Sequence, residues 1–555
     1  MNKTRSAERK IPAILSIPEK VYAVLHRVSN FRLPLYRSFS GIDIIILLGA
    51  AILLLLTLFI RPLSRFKMFA CILSVLLCFF PIGTDAWKLL RKRSVPAEEI
   101  TIVLAVLSAI LIGEYVAAAV FMLFVLLFRL SQGYAMLHRE AELDHFQDEK
   151  AEFYEVLKQW DAEKSRHGAL ISTVCLGVFS IFVLLGIVYL LLAVFHLKEP
   201  GQWLHGAMIS LALASPAAAC YTSRLIHFGT ACSAARADIL YSDDQVPEDY
   251  RSCKLFAFSK TGTVTDGRFV VSEVAPVGIS EDELLKIAAL AECRSAHPIA
   301  KALREASGMQ EGSALADLLS FEEIPGKGIS TFYAGHQIYV GNGALLDDHG
   351  IWFAVPAKSG SAIHVAVDNS YRGYIMISDT IRDGAFDALE ELREAGASTL
   401  VMLTGDVRST ARSLASAMNF DMVKPELTPD EKGAAVKYLR SVHGDNAHIA
   451  CVGDGFQDAE MFQQSDISVC LEAREDCSSE VRIFSGDILC IPKSYRICRK
   501  ASGMLIICLA AAAAVKLILL IIGMHGLIPD PLILASDSLA GTALTVYSLL
   551  SFRID

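Results

Sequence analysis

Phe258-Ser259-Lys260-Thr261-Gly262-Thr263-Val264-Thr265 is the stretch on which the reading of this chain turns. It closes a short run, Lys254–Phe258, with the length and composition of a buried strand. Two later runs repeat the arrangement. Thr399–Leu403 leads into Thr404-Gly405-Asp406, and Ala447–Val452 leads into Gly453-Asp454-Gly455-Phe456-Gln457-Asp458. Helix-like runs, Arg408–Met418 and Asp430–Val442, lie between. Strands alternating with helices predict a parallel sheet covered on both faces. In such a sheet ligands bind at the carboxyl ends of the strands, where all three motifs fall. The first motif puts a serine, Ser259, at that end. Its hydroxyl is un-ionised at neutral pH and needs an adjacent base to act as a nucleophile.

The rest of the chain is too apolar for an ordinary soluble protein. Of 555 residues, 53% are hydrophobic, and the mean hydropathy is +0.43. Apolar runs near 42–60, 67–83, 99–113, 115–131, 168–195, 204–226, 502–523 and 531–550 read as about eight membrane spans. The third and fourth are short and need flanking residues to cross. An even number of spans leaves two polar inserts, 132–167 and 229–500, on one side. Lys88, Arg91, Lys92 and Arg93 agree with a cytosolic location for them, whereas Arg61, Arg65 and Lys67 oppose it. Residues 1–41 form a basic segment, expected to be cytosolic and able to lie on anionic lipid. The net charge is −9, and nothing points to a nucleic-acid partner. Thirteen cysteines are scattered without a C-x-x-C pair, so neither a disulfide framework nor a small metal-capture module is expected.

In combination and order, these motifs resemble those of P-type ATPases, whose signatures are D-K-T-G-T-L-T, T-G-D, P-E-D-K and G-D-G-x-N-D. A lone T-G-D or G-D-G is a turn by default; here the set spans most of 250–490 and includes Leu427-Thr428-Pro429-Asp430-Glu431-Lys432. The resemblance implies a haloacid-dehalogenase-like α/β phosphorylation domain in two parts, 229–275 and 376–490. Between them an inserted α+β nucleotide-binding domain, 276–375, is expected. It implies ATP and Mg²⁺ as cofactors. The catalytic set carried over is Ser259 in place of the nucleophilic aspartate, Lys260, Thr261, Thr404, Gly405, Asp406, Lys432 and Asp458, with Asp454 as the Mg²⁺ carboxylate. Such groups would neutralise the oxygens of a transferring phosphoryl group. Gln457 replaces an asparagine of the pattern, and Glu460 stands where proline is usual.

Ala296-His297-Pro298-Ile299-Ala300-Lys301-Ala302-Leu303 resembles the S-E-H-P-x-A-x-A-I segment of the heavy-metal class, implying nucleotide contact at His297 and Pro298. Gly326, Gly328, Gly341 and Asn342 match that domain's glycine turns. Asp379 and Arg382 match the hinge back into the phosphorylation domain. No P-loop is present. In the membrane part, Ser215, Pro216 and Ala217 stand where that class carries C-P-C, so a soft cation loses its thiolate ligands. Lys516 and Asp537 match an intramembrane lysine and aspartate. They form either an ion pair joining two helices or a remnant ion site.

One further departure is internal. The class places an actuator domain bearing T-G-E between the fourth and fifth spans. Here 132–167 is short, charged and helical in pattern, fit for a helical hairpin extending the membrane helices. T-G-E occurs nowhere. Nucleophile, ion-binding thiols and dephosphorylating domain serve different steps of one cycle. Their joint alteration leads to the expectation of a pseudo-pump in a prokaryotic plasma membrane, with both termini cytoplasmic. It would bind nucleotide weakly or without catalysis, with a regulatory, sensing or scaffolding role toward a protein partner. The alternatives are a divergent but active cation transporter and, last, a membrane-anchored phosphatase.

Overall fold

The computed structural model describes residues 41–555 apart from 60–65, 92–96, 150, 160–165, 196–200, 296–297, 310–317, 357–360, 445–446, 456–457, 474–476 and 555. The chain divides into two compact units, Met1–Arg251 with Ser494–Asp555, and Ser252–Lys493.

The first unit is helical. Among the described residues, six helices are long and apolar enough to cross a membrane: Lys67–Thr84, Tyr115–Phe146, Thr173–Phe195, Gly201–Arg236, Cys490–Met524 and Asp530–Arg553. The other two expected spans correspond to shorter apolar helices, Asp43–Leu56 and Glu99–Ile112. The fourth run is longer than its apolar residues suggest. The helix Tyr115–Glu149 carries on through the charged stretch after Leu130, and a further helix, Ala151–Gln159, follows. The outward faces are apolar, with Ile181, Leu184, Leu191 and Phe195 all exposed along one helix, as lipid contact requires. The interior is rich in small residues, among them Ala105, Ala109, Ala117, Ala118, Ala119 and Ala207, which let helix backbones approach closely. A buried Arg129–Glu99 ion pair at 2.9 Å ties two of the helices together.

One helix is broken. Gly201–Ala212 stops before Leu213–Pro216, and Ala217–Arg236 starts afresh. Pro216 has no N–H to continue the helical ladder. The carbonyl of Leu213 is instead capped by the ammonium of Lys516 at 3.0 Å.

In the second unit, six strands run parallel in the order Val481–Ile483, Ile467–Leu471, Ile449–Gly453, Leu255–Ser259, Thr399–Leu403, Met422–Lys424. The central strands are short apolar runs buried throughout, as a sheet covered on both faces demands. The helix Pro429–His443 begins at a full capping box, with Thr428 accepting from the Glu431 N–H and the Glu431 carboxylate returning to Thr428, satisfying two otherwise orphaned donors. Its Val436 and Leu439 pack on Leu255, Val401 and Ile449.

A second sheet is antiparallel, ordered Thr265–Pro276, Ser370–Ile381, Ser361–Val367, His336–Gly341, Gly328–Tyr333, Leu318–Ile324. The chain enters through Thr265–Pro276 and leaves through Ser370–Ile381, which pair with each other. The insert therefore hangs from two adjacent strands, the first starting six residues after Ser259. Helices Glu281–Ala291 and Pro298–Ser307 cover one face of it through Leu284, Ala288 and Leu303.

Candidate functional site

The central strands put three loop starts side by side. Ser259 ends its strand opposite Leu403 on one side, and Val452 pairs with Phe258 on the other. Thr404 and Asp454 therefore begin the loops flanking Ser259. Ser259 and Thr404 are almost fully buried.

Lys432 reaches across from the capped helix. Its Nζ donates to Ser259 Oγ at 3.1 Å and to Asp458 Oδ1 at 2.7 Å. The second oxygen of Asp458 accepts from the backbone N–H of Asp454 at 3.1 Å. Asp458, which has no exposed side-chain surface, thus anchors both the lysine and the Gly453–Asp454 turn. Gly453 makes room for it, because a Cβ there would collide with the Asp458 carboxylate. Lys260 turns the other way and pairs with Asp406 at 2.6 Å, and the Asp406 N–H is held by Thr404 Oγ1 at 3.1 Å. Gly405 lies between them, its Cβ position 3.2 Å from the Leu427 carbonyl. Thr261 keeps extended dihedrals inside the turn, and Gly262 takes φ +74°, a conformation that favours glycine.

Arg382 clamps this turn. Its guanidinium donates to the carbonyls of Thr263 at 3.2 Å, Gly262 at 3.3 Å and Gly486 at 2.8 Å, and to Glu472 at 2.7 Å. Asp379 accepts from the Thr265 hydroxyl, while its Oδ1 is buried without a hydrogen-bond partner among the described residues. Burial pushes the Asp379 carboxyl above its ordinary pKa, with the Thr265 hydrogen bond and Lys260 pulling the other way.

A Mg²⁺ ion fits these residues poorly. Asp454 offers a carboxylate, but Asp458 is engaged by Lys432, and Ser259 presents a hydroxyl that already faces the Lys432 ammonium. No group of three His, Cys, Asp or Glu side chains among the described residues could hold a metal ion. A divalent cation would have to bring most of its own ligands, as one arriving on a polyphosphate does.

In the insert, His297 lies outside the described residues, and Pro298 starts the helix Pro298–Ser307. The glycine turns have structural work of their own. A Cβ on Gly328 would strike the Val340 carbonyl and the Gly341 backbone, and one on Gly341 would strike the Lys327 carbonyl. Gly326 takes φ +73° with open space around its Cβ position. Asn342 caps the helix Gly343–Asp348 and donates to the Gly326 carbonyl at 2.8 Å.

Glu292 was not singled out by sequence. It follows the helix Glu281–Ala291 and is buried, with Oε2 lacking a hydrogen-bond partner among the described residues. Burial raises its pKa to about 7. A glutamate at a helix end ordinarily reads as solvent-exposed, and only the packing of the insert reveals it.

In the membrane unit, Lys516 Nζ donates to both Asp537 oxygens at 2.9 Å as well as to Leu213. The Ser215 hydroxyl accepts from the Ala217 N–H at 3.3 Å, and Ala217 is buried. Lys516 and Asp537 thus form an ion pair between the helices Cys490–Met524 and Asp530–Ser548.

A haloacid dehalogenase-like hydrolase family model matches residues 253–466. A zinc-transporting ATPase of Synechocystis is 32% identical over 356 residues, 61% of this chain and 48% of the relative. A cadmium, zinc and cobalt-transporting ATPase of Bacillus subtilis is 32% identical over 334 residues, 59% and 47%. A copper-exporting P-type ATPase of Staphylococcus saprophyticus is 31% identical over 313 residues, 54% and 38%. The chain spans about half the length, or less, of these curated relatives. A crystal structure of a zinc-transporting PIB-type ATPase shares the fold, with a TM-score of 0.58 and 20% identity, covering 92% of this chain and 99% of that one. The long apolar helices, the parallel sheet with its antiparallel insert, and these matches agree: the chain is an integral membrane protein distantly homologous to the heavy-metal-transporting P-type ATPases.

Proposed function

We propose that this chain is a pseudo-pump, a heavy-metal P-type ATPase homologue that accepts a phosphate-bearing nucleotide without forming an aspartyl phosphate. The observation that carries the reading is the environment of Ser259. The group against its hydroxyl is the Lys432 ammonium at 3.1 Å, which has donors only. A serine nucleophile needs a base to take its proton, and Lys432, ion-paired with Asp458, supplies none. The remaining cations, Lys260 and Lys432, suit binding of phosphate oxygens, with Thr404 as a hydroxyl donor. On this reading His297, by its motif, and Pro298 with the turns around Gly326 and Asn342 serve nucleotide binding, and the protein acts on a partner through its bound state. Incubation of purified protein with γ-labelled ATP tests it: no hydroxylamine-labile phosphoprotein is expected, while an ATP analogue raises the melting temperature. A labile phosphoprotein would overturn the first half, and the absence of any thermal shift the second.

The relatives favour a second reading, a divergent but active cation transporter, since those named above are transporters. It requires a phosphorylation site other than Ser259 and a hydrolytic step without an internal T-G-E. ATP-dependent zinc, cadmium or copper uptake into inverted vesicles would establish it.

A further inference from the structure

Two cysteines that this machinery does not use converge on Gly455, the residue after Asp454. Cys470 lies on the strand Ile467–Leu471, paired in register with Gly453. Cys477 follows seven residues later, half-buried, with its sulfur 3.3 Å from Ser479 Oγ. A Cβ placed on Gly455 would sit 3.0 Å from Cys477 Sγ and 3.1 Å from Cys470 Sγ. Both sulfurs therefore face the same small space, which exists because residue 455, at φ +88°, has no side chain.

We infer that Cys470 and Cys477 are an oxidation site, a dithiol that closes to a disulfide against the Asp454–Gly455 turn. The two thiols differ in the way such a pair requires. Cys470 is buried, and its proximity to Cys477 and burial hold its pKa above the ordinary range. The Cys470 side-chain hydrogen bond, followed by those from Ser479, brings Cys477 down to about 6, so the more exposed sulfur is the nucleophile. With hydrogen peroxide as oxidant, the Cys477 thiolate attacks one peroxide oxygen. An S–O bond forms, the O–O bond breaks, and hydroxide leaves. The Cys470 sulfur then attacks the sulfenic sulfur; the S–S bond forms, the S–O bond breaks, and the Cys470 proton leaves with the hydroxyl as water. The sulfurs lose two electrons, and the peroxide is reduced to one water and one hydroxide, which becomes the second water by taking up the proton that the Cys477 thiol had released.

The closed segment carries Glu472, whose carboxylate holds Arg382 at 2.7 Å. Arg382 in turn holds the Gly262 and Thr263 carbonyls. Oxidation thus acts on the clamp of the Ser259 turn rather than on Ser259 itself.

The test is peroxide titration of the full chain in detergent, followed by alkylation, trypsin digestion and mass mapping. Arg474 lies between the two cysteines, so trypsin separates their peptides unless a disulfide joins them. A Cys470–Cys477 bridged peptide is expected, about tenfold more abundant than any other cysteine pair and lost on adding dithiothreitol. In Cys470→Ser, peroxide should leave Cys477 as a dimedone-reactive sulfenic acid. Absence of the bridged peptide from oxidised wild type would overturn the assignment. So would oxidation of Cys477 no faster than Cys293, the other half-buried cysteine of this unit.

Discussion

At the scale of single residues, the cleft around Ser259 is governed by one buried charge pair. Asp458 is wholly enclosed and Lys432 nearly so. Their attraction offsets a desolvation cost of several kcal/mol per ion, and removing one partner leaves the other uncompensated. Lys432→Met should therefore lower stability by about 3–5 kcal/mol, read from urea unfolding of the detergent-solubilised chain. The double variant Lys432→Met/Asp458→Asn should recover much of that loss, because no naked charge remains. If the single variant cost under about 1 kcal/mol, as exposed pairs do, the pair would not be holding the turn.

Glu292 makes the opposite case, a carboxyl whose burial outweighs its Ser295 hydrogen bond and the pull of Arg304. Its pKa lies near 7 in the folded chain, above its ordinary value near 4.5. The folded state therefore binds more protons than the unfolded state between those two values. Stability from this group is fully present below about pH 4.5, falls as pH rises toward 7, and is flat beyond. Glu292→Gln removes the ionisation. The variant should match wild type near pH 4.5 and melt higher at pH 8, by a margin of roughly 1–3 kcal/mol. A variant that melts lower at pH 8 would mean the ionised carboxylate has a partner that stabilises it.

At the scale of elements, much of the α/β part was legible in sequence. Thr399–Leu403 is the same strand in both readings, and the helices expected from Arg408 and Asp430 begin at Arg408 and Pro429. Short apolar strands broken by glycine turns carry their own boundaries, and parallel order then brings Ser259, Thr404 and Asp454 together. What remained hidden depends on distant pairs. Arg382 meets Gly486 across 104 residues, and no local spacing announces that contact. The glycine turns were legible as close approaches, but what approaches Gly328 and Gly341 is each other's backbone. Two expectations about this element can be separated by Gly341→Ala. If the glycine is needed for hairpin packing, the variant loses about 1–3 kcal/mol with no nucleotide present. If it only admits a nucleotide, unliganded stability is unchanged and only the ligand-induced shift falls. The collision with the Lys327 carbonyl predicts the first outcome, measured by thermal melting with and without an ATP analogue.

At the scale of the whole molecule, the question is whether one residue separates this chain from a working cycle. Ser259→Asp would place a carboxylate beside Lys432, supplying both a nucleophile that needs no base and a second acidic ligand near Asp454. Yet two features elsewhere are unchanged by it. At the broken helix, the Lys516 ammonium already occupies both Asp537 oxygens and the Leu213 carbonyl. A transported cation would have to displace a bidentate, largely buried ion pair without thiolates at Ser215 and Ala217. Between the helices Tyr115–Glu149 and Arg166–Phe195, the described residues hold one nine-residue helix, too short to supply a domain that activates water. Ser259→Asp is therefore expected to gain, at most, a stable phosphorylated form, with no ATP-dependent zinc or cadmium uptake in inverted vesicles. Because each obstacle acts at a different step, adding Lys516→Ala should let Zn²⁺ raise the melting temperature without restoring uptake. Uptake by Ser259→Asp alone would show that the other two features are compatible with transport, and the active-transporter reading would then replace the pseudo-pump.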